Sequence, residues 1–517
     1  MSPQPSRATV SLMTRRELFY LPVALLPSCT QPDTYLPVEE VSIDQLASAS
    51  SVDLCKAYLR RIEQIDRAGP SLNSVIELNP DALTIAADLD LERRQKGPRG
   101  PLHGIPILIK DNIDTADRMQ TTAGSLVLVG LQRPSRDAGI VTRLRDAGAV
   151  ILGKTNLSEW ANIRSSRSTS GWSGRGGQTR NPYALDRNTS GSSSGSGAAA
   201  AASLCAAAVG TETDGSVVSP ASLNGLVGIK PTVGLLSGSG IIPISHTQDT
   251  AGPMTRTVRD AALLLTAMAE HPKKEDYAKY CQGAGGLQGM RIGVCRQMFI
   301  NNPDVRSITE GAIAILQKAG AAIVDPVEIA TIDKFGDAEY QVFLYELKAD
   351  LNAYLSKRGG DIRTLAQVIA SNERLRDREM PYFGQETFLK AQEKGGLDSP
   401  EYIDALAKCR KLSRDEGIDA TMAKHKLDAI FTSTDSPAWP IDWINGDHFT
   451  GGSSTLPAIA GYPHITVPGG FVHGLPVGVS FFGSAFTEGK LVAMAHAFEQ
   501  ITKVRQKPQY LPTVRYS

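Results

Sequence analysis

The stretch Ser190–Ala202, SGSSSGSGAAAAA, decides how this chain is read. By composition it is a flexible linker. It runs, however, into GAAAAASLCAAAVG (Gly197–Gly210), which has the character of a buried helix. Alanine is the best helix former, and small residues let backbones approach closely. A tight buried loop therefore fits better than a linker. Two motif readings compete. Gly191–Gly195 fits the G-x-S-x-G nucleophile elbow centred on Ser193. Gly195–Ala200 fits the G-x-G-x-x-A nucleotide loop. Both need a strand just before them. NPYALDRNTSG, with Pro182, Asp186, Arg187 and Asn188, is not a strand, and no Walker-type lysine follows.

Outward from this stretch, helical and strand patterns alternate. SVDLCKAYLRRIEQIDR (Ser51–Arg67) places Leu54, Tyr58, Leu59, Ile62 and Ile65 at helical spacing, with Ser51 or Asp53 as cap. A second helix is expected from about Asp81 to Gln95. IPILIK (Ile105–Lys110) is a short apolar β-type run, and VTRLRDAG followed by AVILGKTN reads as helix, turn, strand. This alternation implies an α/β fold, a sheet covered by helices. Residues 270–430 are more helical and more charged, show no obvious chemistry, and read as a lid or a peripheral layer. Gly/Pro-punctuated strands return in AIAGYPHITVPGG and GLPVGVSFFG.

The 517 residues are 41% hydrophobic and 21% charged, which gives ample core. A net charge of +0 leaves no basic stripe for nucleic acid. The six cysteines form no CxxC pair and no histidine stands at zinc spacing beside them, against a disulfide framework or a structural metal. Cys205 reads as a small buried apolar residue. Near the N-terminus, TRRELFYLPVALLPSCT pairs Arg15 and Arg16 with a short apolar run, Leu18–Leu26, then Leu26-Pro27-Ser28-Cys29. It is too short to span a bilayer and reads as an export signal over residues 1–29. Its end resembles a lipobox, which would place a lipid on Cys29. The expected location is then periplasmic or membrane-anchored, or cytoplasmic if the signal is unused.

Two further segments carry chemistry. Lys110 closes IPILIK, and a lysine beside a buried strand must be partnered or neutral. GTETDGSVVSPA (Gly210–Ala221) is a small-residue turn with Ser216 after Asp214-Gly215, and successive free N–H groups in such a turn can hold an oxyanion. This combination resembles the amidase signature family, the Ser–Ser–Lys amide hydrolases. GPLHGIPILIKDNIDT matches its lysine segment, and SGSSSGS matches GGSSGGS with Ser190 and Ser194 replacing glycines. GTETDGSVVSPA matches the nucleophile segment, followed by LVGIKPTVG, DTAGPMTRTVRD and the C-terminal GYPHITVPGG, GLPVGVSFFG and FTEGKL. The likeness covers about residues 40–505 as one domain, weakest over 270–430. Within the family it is nearest to bacterial peptide amidases.

The resemblance implies a large twisted mixed sheet with helices on both faces. It implies Lys110 as base, Ser192 as a bridging serine with a cis peptide bond before it, and Ser216 as nucleophile, 24 residues after the bridge. The backbone of Thr213, Asp214 and Gly215, with Ser216, would form the oxyanion hole. No metal or organic cofactor is implied. Many members have Arg three residues after the nucleophile. Here Ser219 stands there, so a carboxylate substrate is disfavoured. Gly191, Ser219 and Trp439 are the expected substrate-binding residues, with Trp439 or Trp443 lining an apolar acyl-side pocket. His103 is expected to be structural, and His464 and His473 to lie at sheet edges or in loops. The expected activity is hydrolysis of linear carboxamides to carboxylate and ammonia or amine through an acyl-Ser216 intermediate, with the C-terminal amide of a peptide as one candidate. Two alternatives stay open: a glutaminase of the amidotransferase type, which supplies ammonia to a misacylated tRNA, and a catalytically silent scaffold lipoprotein of the same fold.

Overall fold

The computed structural model describes residues 36–515. The export-signal and Cys29 readings lie outside the described residues. The strands are β1 (Val75–Leu78), β2 (Pro106–Lys110), β3 (Val150–Thr155), β4 (Trp172–Ser173), β5 (Gly177–Gln178), β6 (Ala207–Glu212) and β7 (Val227–Lys230). They continue as β8 (Thr250–Thr255), β9 (Arg291–Val294), β10 (Ala322–Val324), β11 (Ala429–Ser433), β12 (His464–Val472) and β13 (Leu475–Phe482). Eleven of them form one mixed sheet in the order β1-β3-β2-β6-β8-β7-β12-β13-β11-β9-β10, while β4 and β5 pair separately. β2 runs parallel to both β3 and β6, and β6 runs antiparallel to β8. Every residue of β2, β3, β6 and β8 is buried. Helices flank the sheet, which is why these strands read as apolar runs rather than as alternations.

The expected local elements form where the patterns place them, with shifts at the ends. The first long helix spans Ser51–Arg61 and continues as a wider turn to Arg67. Its cap is Ser50, whose Oγ accepts the Asp53 N–H, and not Ser51 or Asp53. Asp90 accepts the N–H groups of Ser51 and Val52 instead. The second helix spans Ala82–Lys96. Cys205 is fully buried, and burial pushes its thiol up to about 12.

The alanine-rich helix, Ser194–Ala201, is buried along its whole length and lies across β2, β3, β6 and β8. Its composition follows from that position. A Cβ on Gly195 would sit 2.3 Å from the Ser74 carbonyl oxygen and 2.5 Å from that of Asn156. One on Gly191 would sit 2.2 Å from Ser158 Oγ.

Two expectations change. Residues 270–430 are largely helical, but they also supply β9 and β10, which extend the sheet through β11. His464 is not at an edge: it opens β12, a central strand, and is fully buried opposite Lys230. Its apolar surroundings and Lys230 hold the imidazole neutral, near 3. His473 does lie in a tight turn, between β12 and β13, at φ 49°. His103 is buried, with Nε2 2.9 Å from the Leu89 carbonyl and Nδ1 accepting the Arg99 N–H.

Candidate active site

Three segments remote in sequence meet at the end of β2. Lys110 is its last residue, fully buried between β3 and β6. Its Nζ donates to Ser192 Oγ (2.7 Å), Ser193 Oγ (3.0 Å), Thr211 Oγ1 (3.0 Å) and the Thr211 carbonyl (3.2 Å). No carboxylate is among these partners. Burial lowers the amine to about 7, against the opposing pull of Asp249 and Glu212. Near neutral pH the side chain is therefore divided between ammonium and free amine, and the amine can accept a proton.

The serine loop is locked from several sides. The Gly191–Ser192 bond is cis, and Ser190 takes φ 58°. The Ser192 carbonyl accepts the Ser158 N–H at 3.0 Å, and the Ser190 carbonyl accepts Ser194 Oγ at 2.6 Å. Ser193 does not stand free as an elbow nucleophile. Its Oγ donates to the Thr211 carbonyl (3.0 Å) and accepts the Thr211 N–H (3.1 Å), clasping the loop to β6. Its own N–H donates to the Ser216 carbonyl at 3.2 Å, so the bridging loop and the turn holding Ser216 are directly tied. Exposure falls from 9% at Ser216 to 0% at Ser192 and Lys110, which gives the cluster an open end at Ser216 and a closed end at the amine.

The turn after β6 is held by its side chains, leaving its amides available. Gly215 takes φ 78°, and a Cβ there would lie 2.8 Å from Ser454 Oγ. Asp214 accepts from Ser454 Oγ (2.5 Å) and Thr455 Oγ1 (2.8 Å), and burial raises its carboxyl above the usual range. Thr213 Oγ1 donates to Asp249 at 2.6 Å. Glu212 accepts the N–H groups of Val217 (2.8 Å) and Val218 (3.0 Å), fixing the start of the helix Val218–Leu223 just beyond Ser216. The N–H groups of Asp214, Gly215 and Ser216 donate to no protein acceptor among the described residues. Such a run of amides suits a developing negative oxygen.

The other expected residues are placed as follows. Gly191 lies in the loop before the cis bond, and its close approach to Ser158 leaves no room for a side chain. Ser219 faces Ser190 Oγ at 2.7 Å and donates to Asp435, a buried carboxylate that burial pushes up to about 7. Trp439 is 4% exposed, packs with Leu223, Leu475 and Val514, and donates Nε1 to Asp447. Trp443 is 44% exposed and stacks on Tyr382. The sequence motifs do not single out Ser193, Thr211 and Asn112 for these contacts. Thr211 and Asn112 lie inside the quoted motifs, but their partners become visible only once β2 and β6 are side by side. Thr211 and Thr213 also line a cavity of about 410 Å³. Among the described residues, His246, Glu346 and Asp350 bring possible metal ligands within 4.8 Å of one another. Glu346 is already engaged by Ser245, Thr247 and Tyr402, and Asp350 by His246.

Known proteins resemble this chain in sequence and in fold. A family model described as Amidase matches residues 53–492. The solved structure of native peptide amidase from Stenotrophomonas maltophilia is 48% identical, with TM-score 0.88, covering 92% of this chain and 99% of that one. A peptide amidase structure in complex with the competitive inhibitor chymostatin is 49% identical, with TM-score 0.89, covering 92% and 100%. A protein of Arabidopsis thaliana named "Probable amidase" is 41% identical over 92% of each chain. With this likeness over nearly its whole described length, the chain belongs to the amidase family and is an amide-hydrolysing enzyme.

Proposed function

We propose that this enzyme removes the C-terminal carboxamide of peptides, with Ser216 as nucleophile, Ser192 as bridge and Lys110 as base. The observation that carries this reading is a buried lysine amine that donates to hydroxyls and a carbonyl, 2.7 Å from Ser192 Oγ. The free amine of Lys110 accepts the Ser192 proton as Ser192 accepts that of Ser216. Ser216 Oγ attacks the carboxamide carbon, and the carbonyl oxygen takes the negative charge against the amides of Thr213–Ser216. The relay then runs backward. The proton reaches the substrate nitrogen, the C–N bond breaks and ammonia leaves. Water, deprotonated through the same relay, attacks the acyl-Ser216 carbonyl and releases the carboxylate and free Ser216.

The likeness to peptide amidases supports peptides as the substrate class. The pairing of Ser219 with Asp435 also leaves no cation at that position, so a substrate carboxylate has no partner there. The test is a panel of N-acylated peptide amides, simple aliphatic amides and the matching peptide acids with a second carboxamide, followed by ammonia release. Peptide amides should be turned over with the highest kcat/KM. Equal or faster turnover of aliphatic amides, or of carboxylate-bearing ones, would contradict the reading.

A further inference from the structure

The cavity of about 410 Å³ beside the lysine–serine cluster is walled by Asn112 beyond β2, Thr211 and Thr213 at the end of β6, residues between 233 and 250, and the long helix Gly336–Arg358. Most of its buried polar groups are engaged. Thr213 Oγ1 and the N–H groups of Ile244 and Ser245 satisfy Asp249, and the Tyr354 hydroxyl donates to Asp114. Asn112 differs. It is 3% exposed, and its Nδ2 donates to Thr211 Oγ1 at 3.0 Å, but its Oδ1 has no partner among the described residues. Buried acceptors are nearly always satisfied. An unsatisfied one lining a cavity marks where a ligand donor belongs.

Its position narrows the donor. The Thr211 hydroxyl that binds Asn112 also binds Lys110 Nζ at 3.0 Å, so Asn112 is linked to the base through one shared hydroxyl, two hydrogen bonds away. Thr213, at the start of the oxyanion turn, lines the same cavity. A donor reaching Asn112 therefore sits next to the scissile carboxamide. The carboxamide nitrogen itself must be free to leave. In a peptide amide the next N–H is that of the terminal residue, and a simple aliphatic amide has none there. The wall beyond is aliphatic, with Leu236, Ile241, Ile242 and Ile244.

We propose that Asn112 Oδ1 accepts the backbone N–H of the residue whose carboxamide is cleaved, and that this aliphatic wall receives its side chain. The proposal rests on the peptide-amide reading above and names the group by which that site tells a peptide from a simple amide. The experiment compares N-acetyl-leucinamide with the ester analogue in which oxygen replaces the leucine N–H. The wild-type enzyme should prefer the former by roughly tenfold in kcat/KM, the worth of one hydrogen bond. In Asn112→Ala that preference should fall to about one. Asn112→Asp, which keeps an acceptor oxygen, should retain it and serves if the alanine variant folds poorly. Equal turnover of the two compounds by the wild type would overturn the proposal. So would a loss in Asn112→Ala that is the same for both, since Asn112 would then only position Thr211 and Lys110, or hold solvent in the small niche it shares with Trp160. Hydrolysis of neither compound by the wild type would fail the peptide-amide reading itself.

Discussion

Among the described residues, Lys110 is one of three fully buried lysines at or near strand ends, with Lys154 and Lys230. Burial lowers all three, so burial alone does not identify a base. Their partners do. Lys154 Nζ donates to the Ile113 carbonyl and Thr121, with Asp111 and Asp114 nearby, and Lys230 Nζ donates to the Pro231 carbonyl and feels Glu212 and Glu488. Lys110 alone of the three reaches serine hydroxyls. Because the active form is the free amine and its folded value is about 7, kcat/KM should rise through pH 7 and level off above it. Lys110→Ala should lower turnover about 10²–10⁴-fold with the fold retained. Lys154→Met should leave the pH limb in place. A pH-rate profile that is flat from 6 to 9, or one whose limb moves in Lys154→Met, would point to another base. The same shift acts on stability. Between about 7 and the ordinary lysine value the unfolded chain binds the extra proton, so the folded state gains stability with rising pH across that window and gains nothing further below it.

At the scale of elements, the loop and helix from Ser190 to Ala201 show how composition and packing answer each other. Gly195 faces two backbone carbonyls that cannot yield. Gly195→Ala should therefore destabilise by about 1–3 kcal/mol, seen as a lower Tm. Gly311, in the exposed middle of the helix Pro303–Lys318, meets nothing within 4 Å, so Gly311→Ala should raise stability by about 0.5–1 kcal/mol. Matching shifts in the two variants would contradict the close-packing account. This scale also shows what was legible in the sequence. Apolar runs and turn residues revealed β2, β3, β12 and β13, and the quoted motifs named Lys110, Ser192 and Ser216. The order of strands was not legible, because pairings such as His464 with Lys230 join residues far apart in the chain. For the same reason a histidine that reads as peripheral is central. The clasp of Ser193 on Thr211 and the orphan oxygen of Asn112 depend on side chains meeting across strands, which no single segment displays.

Across the whole molecule, one sheet carries the chemistry and a later, mainly helical stretch shapes the space in front of it. Asp350, Ala353, Tyr354 and Lys357 come from a region that reads as chemically silent, yet they line the cavity next to Thr211 and Thr213. The cavity wall thus joins motif residues to residues far from any motif, and the latter carry no signal in the sequence that ties them to this space. The described residues from Leu36 onward form one compact unit. A chain beginning at Leu36 should accordingly fold and hydrolyse peptide amides with unchanged kcat/KM, and a large loss of either would show that the preceding residues belong to the active fold. In the proposed reaction Ser216 becomes acylated under the control of Ser192 and Lys110. Its most direct test is rapid-quench mass spectrometry during turnover of a peptide amide. The acyl group should be found on the peptide containing Ser216 and be absent from Ser216→Ala. An acyl group on Ser192 or Ser193, or near-normal hydrolysis by Ser216→Ala, would contradict it.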